Sequence, residues 1–457
     1  MTKDLTTGSP LKLVIRFAFP LFLGMLLQQF YNIVDTIIVG RELGVEALAG
    51  VGSTGSLNFM VIGFCTGLSS GFSIPIAQQF GAKNERELRR YVANSLWLWL
   101  IYSAIITVTV CSFCDALLRL LRTPGDIFSY ASDYLFVIFA GIPCTILYNT
   151  LAGILRAVGD SRTPVLYLGL SMILNIALDI LFLVVLHKGV VGAALATVIA
   201  QAFAGVLCLW RLRGYALLRL RPGDGIPSLL HMAELSRLAV PMGLQTVITA
   251  VGLLIVQGAT NGLGTKVVAG VSAGLRINNF LQAPLDAVAQ TMTPYAGQNL
   301  GAGKSRRIRQ GVGAALLCGF VLSAVLLGVA VLFGREAAAL FLTENDPMVI
   351  TYAYEIATAM AWGYGLLIIL NVLRFTLQGM GFTFLAILSG VMEMVARGAA
   401  GLVLEPIFGF TGIRFAHPLA WLFGDILLIP AFFYCIRRVR SRESVGGELI
   451  RSEGDAI

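Results

Sequence analysis

The chain has 457 residues, 57% of them hydrophobic and 13% charged, with a formal net charge of +8. A soluble protein of this size would carry about a quarter of its residues as charges, whereas apolar runs of roughly 18–25 residues, enough to cross ~30 Å of hydrocarbon, recur here from end to end. These features exclude a water-soluble globule, and the continuity of the runs excludes a β-barrel, whose strands alternate apolar with polar residues.

The N-terminal stretch MTKDLTTGSPLKL lacks a short apolar core followed by a small-residue cleavage site, so the first apolar run is expected to be a retained span. That run, PLFLGMLLQQFYNIVDTIIVG from Pro20 to Gly40, contains a proline at which the helix is expected to kink. It also contains Asp35, with no basic residue close by in sequence. A carboxylate in a membrane helix costs ~3 kcal/mol on insertion scales, which marks it as functional; alternatively Asp35 ends the helix in headgroup water. About twelve spans are predicted, over roughly 13–38, 47–72, 92–114, 131–154, 164–186, 190–210, 237–260, 268–293, 311–333, 350–372, 384–404 and 415–436.

In the second span, Gly50–Val51–Gly52–Ser53–Thr54–Gly55 satisfies GxGxxG without a strand–helix unit around it. Gly63, Gly67 and Gly71 follow at four-residue spacing, so close helix packing is the expected role. Cys111 and Cys114, two of seven cysteines, form a CxxC in an apolar run with no cationic neighbour, which points to buried structural thiols. The fifth span, LYLGLSMILNIALDILFLVV, places Asn175 and Asp179 on one helical face. The sixth opens with small residues from Gly189 and reaches a hydroxyl at Thr197. Two membrane carboxylates with amide and hydroxyl oxygens nearby could share a proton or hold a small cation. Asn175 and Asp179 could equally just hydrogen-bond between packed helices.

The second half lacks this pair and offers Gln257, Asn278, Asn279, Gln282, Asp286 and Asp425. Glu393 and Arg397, four apart, read as a neutralising pair within one helix. Gly301–Ala302–Gly303–Lys304–Ser305 resembles the end of a P-loop, but Gln298 stands where the first glycine belongs and the segment leaves a membrane helix, so no ATP binding is expected. His187, His231 and His417 are isolated in sequence, and no metal-binding cluster is expected.

Basic residues concentrate on one side. Lys3, Lys12 and Arg16; Lys83, Arg86, Arg89 and Arg90; Arg156 and Arg162; Arg211, Arg213, Arg219, Arg221 and Arg237; Lys304, Arg306, Arg307 and Arg309; and Arg437, Arg438, Arg440, Arg442 and Arg451 share it. The other side has Arg41, Arg119, Arg122, Lys188, Lys266, Arg335 and Arg414. This excess puts both termini in the cytoplasm of a multi-pass cell-membrane protein, and it explains the net charge without a nucleic-acid partner.

The halves repeat at an offset of about 220 residues. Arg16 to Pro20 answers Arg237 to Pro241, Leu48–Ala49–Gly50–Val51 answers Val268–Ala269–Gly270–Val271, Gln78 with Gly81–Ala82 answers Gln298 with Gly301–Ala302, and Asn149 with Gly159 answers Asn371 with Gly381. Six spans per copy makes the repeats parallel, a transporter architecture with a site between them. The expected domains are 1–210 and 235–440, joined by a cytoplasmic linker over 211–234 and followed by a tail over 441–457.

With these residues in view, the chain resembles the multidrug and toxic compound extrusion (MATE) transporters over nearly its whole length. The resemblance rests on Pro20 with Asp35, the paired Gly-Ala–basic loops, Leu155–Arg156–Ala157–Val158–Gly159–Asp160 running into Thr163–Pro164, and Gly189 to Thr197. It implies two six-helix bundles forming a V-shaped cavity, and export driven by an inward proton or sodium gradient. By the same resemblance Asp35 is the coupling residue, Asn175, Asp179 and Thr197 are its partners, and Tyr134 lines the site. Gln257, Asn278, Asn279 and Gln282 are candidates to line the cavity. Another branch of the family uses carboxylates on the seventh and tenth helices, where this chain has Gln257 and no obvious acid. That departure favours the DinF-like branch, with coupling through the first half.

The expected activity is therefore secondary antiport by a monomer. An amphipathic, cationic organic substrate leaves in exchange for H+ or Na+, with no other cofactor and no ATP. A lipid-linked precursor flippase would need a basic cavity, and Arg276, Arg374 and Arg397 are the few cations at membrane depth. An enzyme would need clustered catalytic groups, which are not evident, and a channel differs in lacking uphill transport.

Overall fold

A computed structural model describes residues 3–121, 123–341 and 346–454. Arg122, and the side chains of Arg442 and Arg451 used above for orientation, lie outside that description. The first half forms α1 (Pro10–Ser53), α2 (Gly55–Gly81), α3 (Glu85–Ser112), α4 (Cys114–Leu120), α5 (Gly125–Ala140), α6 (Ile142–Ala157), α7 (Arg162–Asp179) and α8 (Gly189–Arg213). The second half forms α9 (Leu229–Gly262), α10 (Thr265–Gln290), α11 (Met292–Gly301), α12 (Ser305–Leu340), α13 (Pro347–Trp362) and α14 (Tyr364–Gly379). It ends with α15 (Thr383–Ala399), α16 (Glu405–Phe408), α17 (Phe410–Arg414) and α18 (Ala416–Gly454).

The chain is an all-helical, multi-pass membrane protein. Among the described residues nine helices are long and apolar enough to span a bilayer, and eleven if α5–α6 and α13–α14, bent by 46° and 53°, each count as one. The remaining expected span, 268–293, corresponds to α10, whose Arg276, Asn278, Asn279, Gln282 and Asp286 lower its hydropathy. Pro20 lies within α1 without a break in helical backbone; the break comes at Gly44, with φ 81°.

Backbone geometry carries the internal repeat more clearly than the sequence does. Left-handed positions recur in pairs: Gly44 and Gly264 (φ 81° and 98°), Lys83 and Gly303 (57° and 65°), Gly159 and Gly381 (89° and 88°), Gly189 and Gly409 (63° and 56°). Such dihedrals favour glycine, and Lys83 is the exception. A π-helical segment follows α7 at Ile180–Val185, and another follows α15 at Ala400–Leu404.

Contacts divide the chain into two units. One takes Lys3, Pro20–Ile76 and Asn84–Ala250; the other takes Asp4–Phe19, Ala77–Lys83 and Val251 onward. This grouping differs from the expected 1–210 and 235–440. Packing explains the difference for the start of α9. A Cβ on Gly63, Gly67 or Gly71 of α2 would come within 2.7, 2.5 or 2.3 Å of Thr246, Met242 or Ala239 of α9. The four-residue glycine spacing thus lets two helices approach backbone to backbone. Gly71→Val should force them apart and lower stability by ~1–3 kcal/mol or more, read as a drop in melting temperature in detergent.

In the second unit, the segment after Asp4 is held by polar side chains. Leu5 N donates to Gln298 Oε1 at 2.8 Å, Asn299 Nδ2 donates to Leu5 O at 3.2 Å, and Lys304 Nζ donates to Thr6 O at 3.0 Å. The lysine of the P-loop look-alike is thus a backbone clamp. The duplicated Gln/Gly pairs cross reciprocally: a Cβ on Gly81 would be 1.9 Å from Gln298 O, and one on Gly301 would be 1.8 Å from Gln78 O.

The Gly159–Asp160 turn explains its own sequence. Asp160 Oδ1 accepts from Arg162 N (3.2 Å) and Thr163 N (3.0 Å), while Oδ2 accepts from Thr163 Oγ1 and Tyr215 OH, both at 2.6 Å. The carboxylate therefore caps the start of α7 and ties the linker to it. Burial alone would raise this acid, but the hydrogen bonds from Thr163 and Tyr215 outweigh it and hold the carboxyl below the usual range. Its contribution is present above the unfolded value of ~3.9 and is lost as pH falls through the lower folded value. Asp160→Asn should lower the melting temperature at pH 7, and the gap to wild type should narrow as the pH is taken below about 4.

Candidate functional site

Asp35 on α1, Tyr134 on α5, Asn175 and Asp179 on α7 and Thr197 on α8 all belong to the first unit. Asp179 is fully buried, Asn175 is 2% exposed and Asp35 is half-buried. The carboxyl groups of Asp35 and Asp179 face each other within hydrogen-bonding reach. No N–H or O–H donor reaches Asp35 Oδ1 or either oxygen of Asp179. Two carboxylates are both acceptors, so a bond between them requires a proton on one. Both amide atoms of Asn175, one turn away on the same face, also have no partner.

Two tyrosines border the pair. Tyr134 lies near both carboxylates. Tyr31, one turn before Asp35, lies near them too and its hydroxyl is 3.3 Å from Thr197 Oγ1. Thr197 also donates to Ala193 O at 3.2 Å. Tyr31 was absent from the sequence expectations, although its four-residue offset from Asp35 is the same signal that joins Asn175 to Asp179. The π-helical segment starts immediately after Asp179; such segments often mark functional positions because they rotate side chains out of α register.

Chemically, the cluster offers two close acids, an amide oxygen and a hydroxyl around a buried centre. It fits a shared proton, and its all-oxygen donor set also fits a hard cation such as Na+. Among the described residues no group of three His, Cys, Asp or Glu is arranged to hold a metal.

The second-half candidates separate. Gln257 and Asn279 are exposed, and Gln257 donates to Asn261 at 2.9 Å. Asn278 is 3% exposed and therefore belongs to an internal network rather than an open lining. Tyr364 OH donates to Asn278 Oδ1 (2.8 Å), Asn278 donates to Gln282 (3.0 Å), and Gln282 and Asn371 donate to the two oxygens of Asp286 (3.0 and 2.9 Å). The Asn278–Gln282–Asp286 ladder follows helical spacing of four, a signal the sequence expectations, which offered Asn278 and Gln282 as cavity lining, did not use; its partners from α14 have no such signal.

Glu393 is also more than one half of an intrahelical pair. It accepts from Arg397 at 3.2 Å and, across helices, from Arg374 of α14, and all three are at most 8% exposed. Burying two guanidinium groups requires that shared acid, and it takes them out of any open basic surface.

The cysteines are free. Cys114 is buried, whereas Cys111 is half-buried, and both border a cavity of about 420 Å³ with Asp115, Ser132 and Asp133. Cys111 thus departs from the expectation of a buried thiol. His231 is not isolated either: Nε2 is 2.8 Å from Glu87 Oε2, part of the linker's dock on α3 together with Arg89–Asp224 at 2.7 Å.

The sequence profile of the MatE family matches residues 20–181 and 241–397, the two repeats in turn. The "Probable multidrug resistance protein YpnP" of Bacillus subtilis is 28% identical over 345 residues, covering 75% of this chain and 77% of that one. The "Multidrug export protein MepA" of Staphylococcus haemolyticus is 26% identical over 89% of each chain. Among solved structures, an outward-facing conformation of a multidrug resistance MATE family transporter of the MOP superfamily superposes with a TM-score of 0.89. It covers 96% of this chain and all of its own at 24% identity, a likeness of fold.

Proposed function

The chain belongs to the MatE family of membrane transporters, and on that premise we propose that it is a secondary antiporter exporting amphipathic, cationic organic compounds in exchange for H+ or Na+. The observation that carries the reading is the facing pair of half-buried Asp35 and buried Asp179, with Oδ1 of the first and both oxygens of the second unsatisfied. Two ionised carboxylates in contact repel strongly in a poorly hydrated setting. One proton or one Na+ between them removes that repulsion, so occupancy and local conformation are linked. Asn175 and Thr197 supply further oxygens, and Tyr31 orients Thr197 through its hydroxyl.

Transport follows if the ion-bound and ion-free clusters favour different conformations of the first half, because only differential affinity shifts such an equilibrium. The multidrug names of the relatives support export of varied organic compounds. The basic loops support an orientation with both termini in the cytoplasm of the cell membrane. The lack of carboxylates at the second branch's positions supports the DinF-like branch. The burial of Arg374 and Arg397 against Glu393, out of any open basic surface, supports a cationic substrate over a pyrophosphate-bearing lipid.

Efflux of several cationic dyes from proteoliposomes, with pH and sodium gradients imposed separately, tests the reading. Uphill efflux under one of them is expected and names the ion. Dye movement that only ever runs downhill would leave a channel, and the antiport reading would be abandoned.

A further inference from the structure

Asp425, on α18, is 2% exposed, and neither of its carboxyl oxygens accepts a hydrogen bond. It is a second buried acid of this kind, and it lies in the other unit. Its charged neighbours are Arg374 of α14 and Glu393 of α15; the stem of Glu393 passes 3.6 Å from where a Cβ on the adjacent Gly424 would be. Tyr364 of α14 packs on Trp421, one turn before it on α18, and His417, two turns before it, has Arg397 of α15 as its charged neighbour. From the other elements packed on α18, Glu355 of α13 and Arg414 of α17 are occupied with each other at 2.8 Å. The π-helical segment brings no titratable group, and α12 carries its charges toward its two ends, at Arg306, Arg307, Arg309, Arg335 and Glu336.

Glu393 serves both arginines, yet Arg374 Nε and Arg397 Nε and Nη1 have no acceptor. An ionised Asp425 near the spare Nε–H of Arg374 would accept from it, because a buried charge is tolerable only when it is paired and hydrogen-bonded. It accepts from none.

We propose that Asp425 is a proton-binding site of the second half, protonated in the arrangement seen here. On release, the proton passes to water, and a guanidinium N–H of Arg374 turns to the carboxylate left behind. The cluster then changes from one net positive charge to none. The guanidinium of Arg374 near the acid selects a proton over a metal cation. The role in transport rests on the antiport reading above; the proton binding itself does not.

The test uses the full chain in lipid, with the proton as the only ligand. Infrared difference spectra on stepping the pH should show carboxyl carbonyl bands that titrate. Asp425→Asn should remove one band, Asp425→Glu should restore it at a shifted frequency, and Asp35→Asn should affect a different band. Dye efflux driven by a pH gradient should fall about tenfold in Asp425→Asn, within the usual range for loss of a coupling interaction. Bands in Asp425→Asn identical to wild type at every pH would overturn the proposal. If that variant does not fold, an unshifted band in Asp425→Glu would overturn it. Neither result bears on Asp35, whose role fails only if Asp35→Asn still transports.

Discussion

Asp35→Asn is expected to reduce gradient-driven efflux on the order of 100-fold, near the upper end of ordinary coupling energies, while the protein stays folded. The substitution keeps the shape of the side chain and removes its ability to take up or release a proton. It also removes one of the two charges that would hold Na+. Stability should not suffer, because the new amide N–H can donate to Asp179, whose two oxygens have no donor at present. The expected signature is thus a split: melting temperature at or above wild type, binding of dye retained, uphill transport lost. Tyr31→Phe should give a milder version, since it removes only the 3.3 Å contact that orients Thr197. Efflux at the wild-type rate in Asp35→Asn would remove this residue from the coupling mechanism.

The sequence was legible wherever helical periodicity or chain duplication wrote the answer. Asn175 and Asp179 share a face because they are four apart, and the glycines of α2 meet α9 because small residues recur at the same interval. What stayed hidden needed contacts between helices distant in sequence. Nothing local says that Arg374 reaches Glu393, or that Tyr364 and Asn371 close the Asn278–Gln282–Asp286 ladder. The α10 ladder also shows why hydropathy undercounts spans: a helix can cross the membrane while carrying a polar face, provided that face is satisfied inside the protein. The clamp from Gln298, Asn299 and Lys304 onto residues 5 and 6 was masked by a nucleotide-motif look-alike. Its chemistry, a basic side chain on a backbone carbonyl, requires no motif at all.

Glu393→Gln is expected to destabilise the second unit by ~3–5 kcal/mol, the usual consequence of removing one partner from a buried ionic cluster. Both guanidinium groups would lose their counter-charge at once and one would face an amide N–H in place of its acceptor, and Arg397 has little room to escape, since its Cδ lies 3.3 Å from where a Cβ on Gly252 of α9 would be. The loss should appear as a lower melting temperature in detergent. A second variant separates charge balance from packing. Replacing all three residues together, Arg374→Met, Glu393→Leu and Arg397→Met, keeps the volume and removes the charges. Buried ionic triads replaced in this way are often neutral or stabilising, because the desolvation of the ions no longer opposes folding. The triple variant should therefore melt near wild type while Glu393→Gln does not. If the triple variant is folded but has lost transport, the charges were retained for the transport cycle rather than for stability. If Glu393→Gln melts with wild type, the two arginines are hydrated in the membrane, and the argument that their burial disfavours an anionic substrate loses its basis.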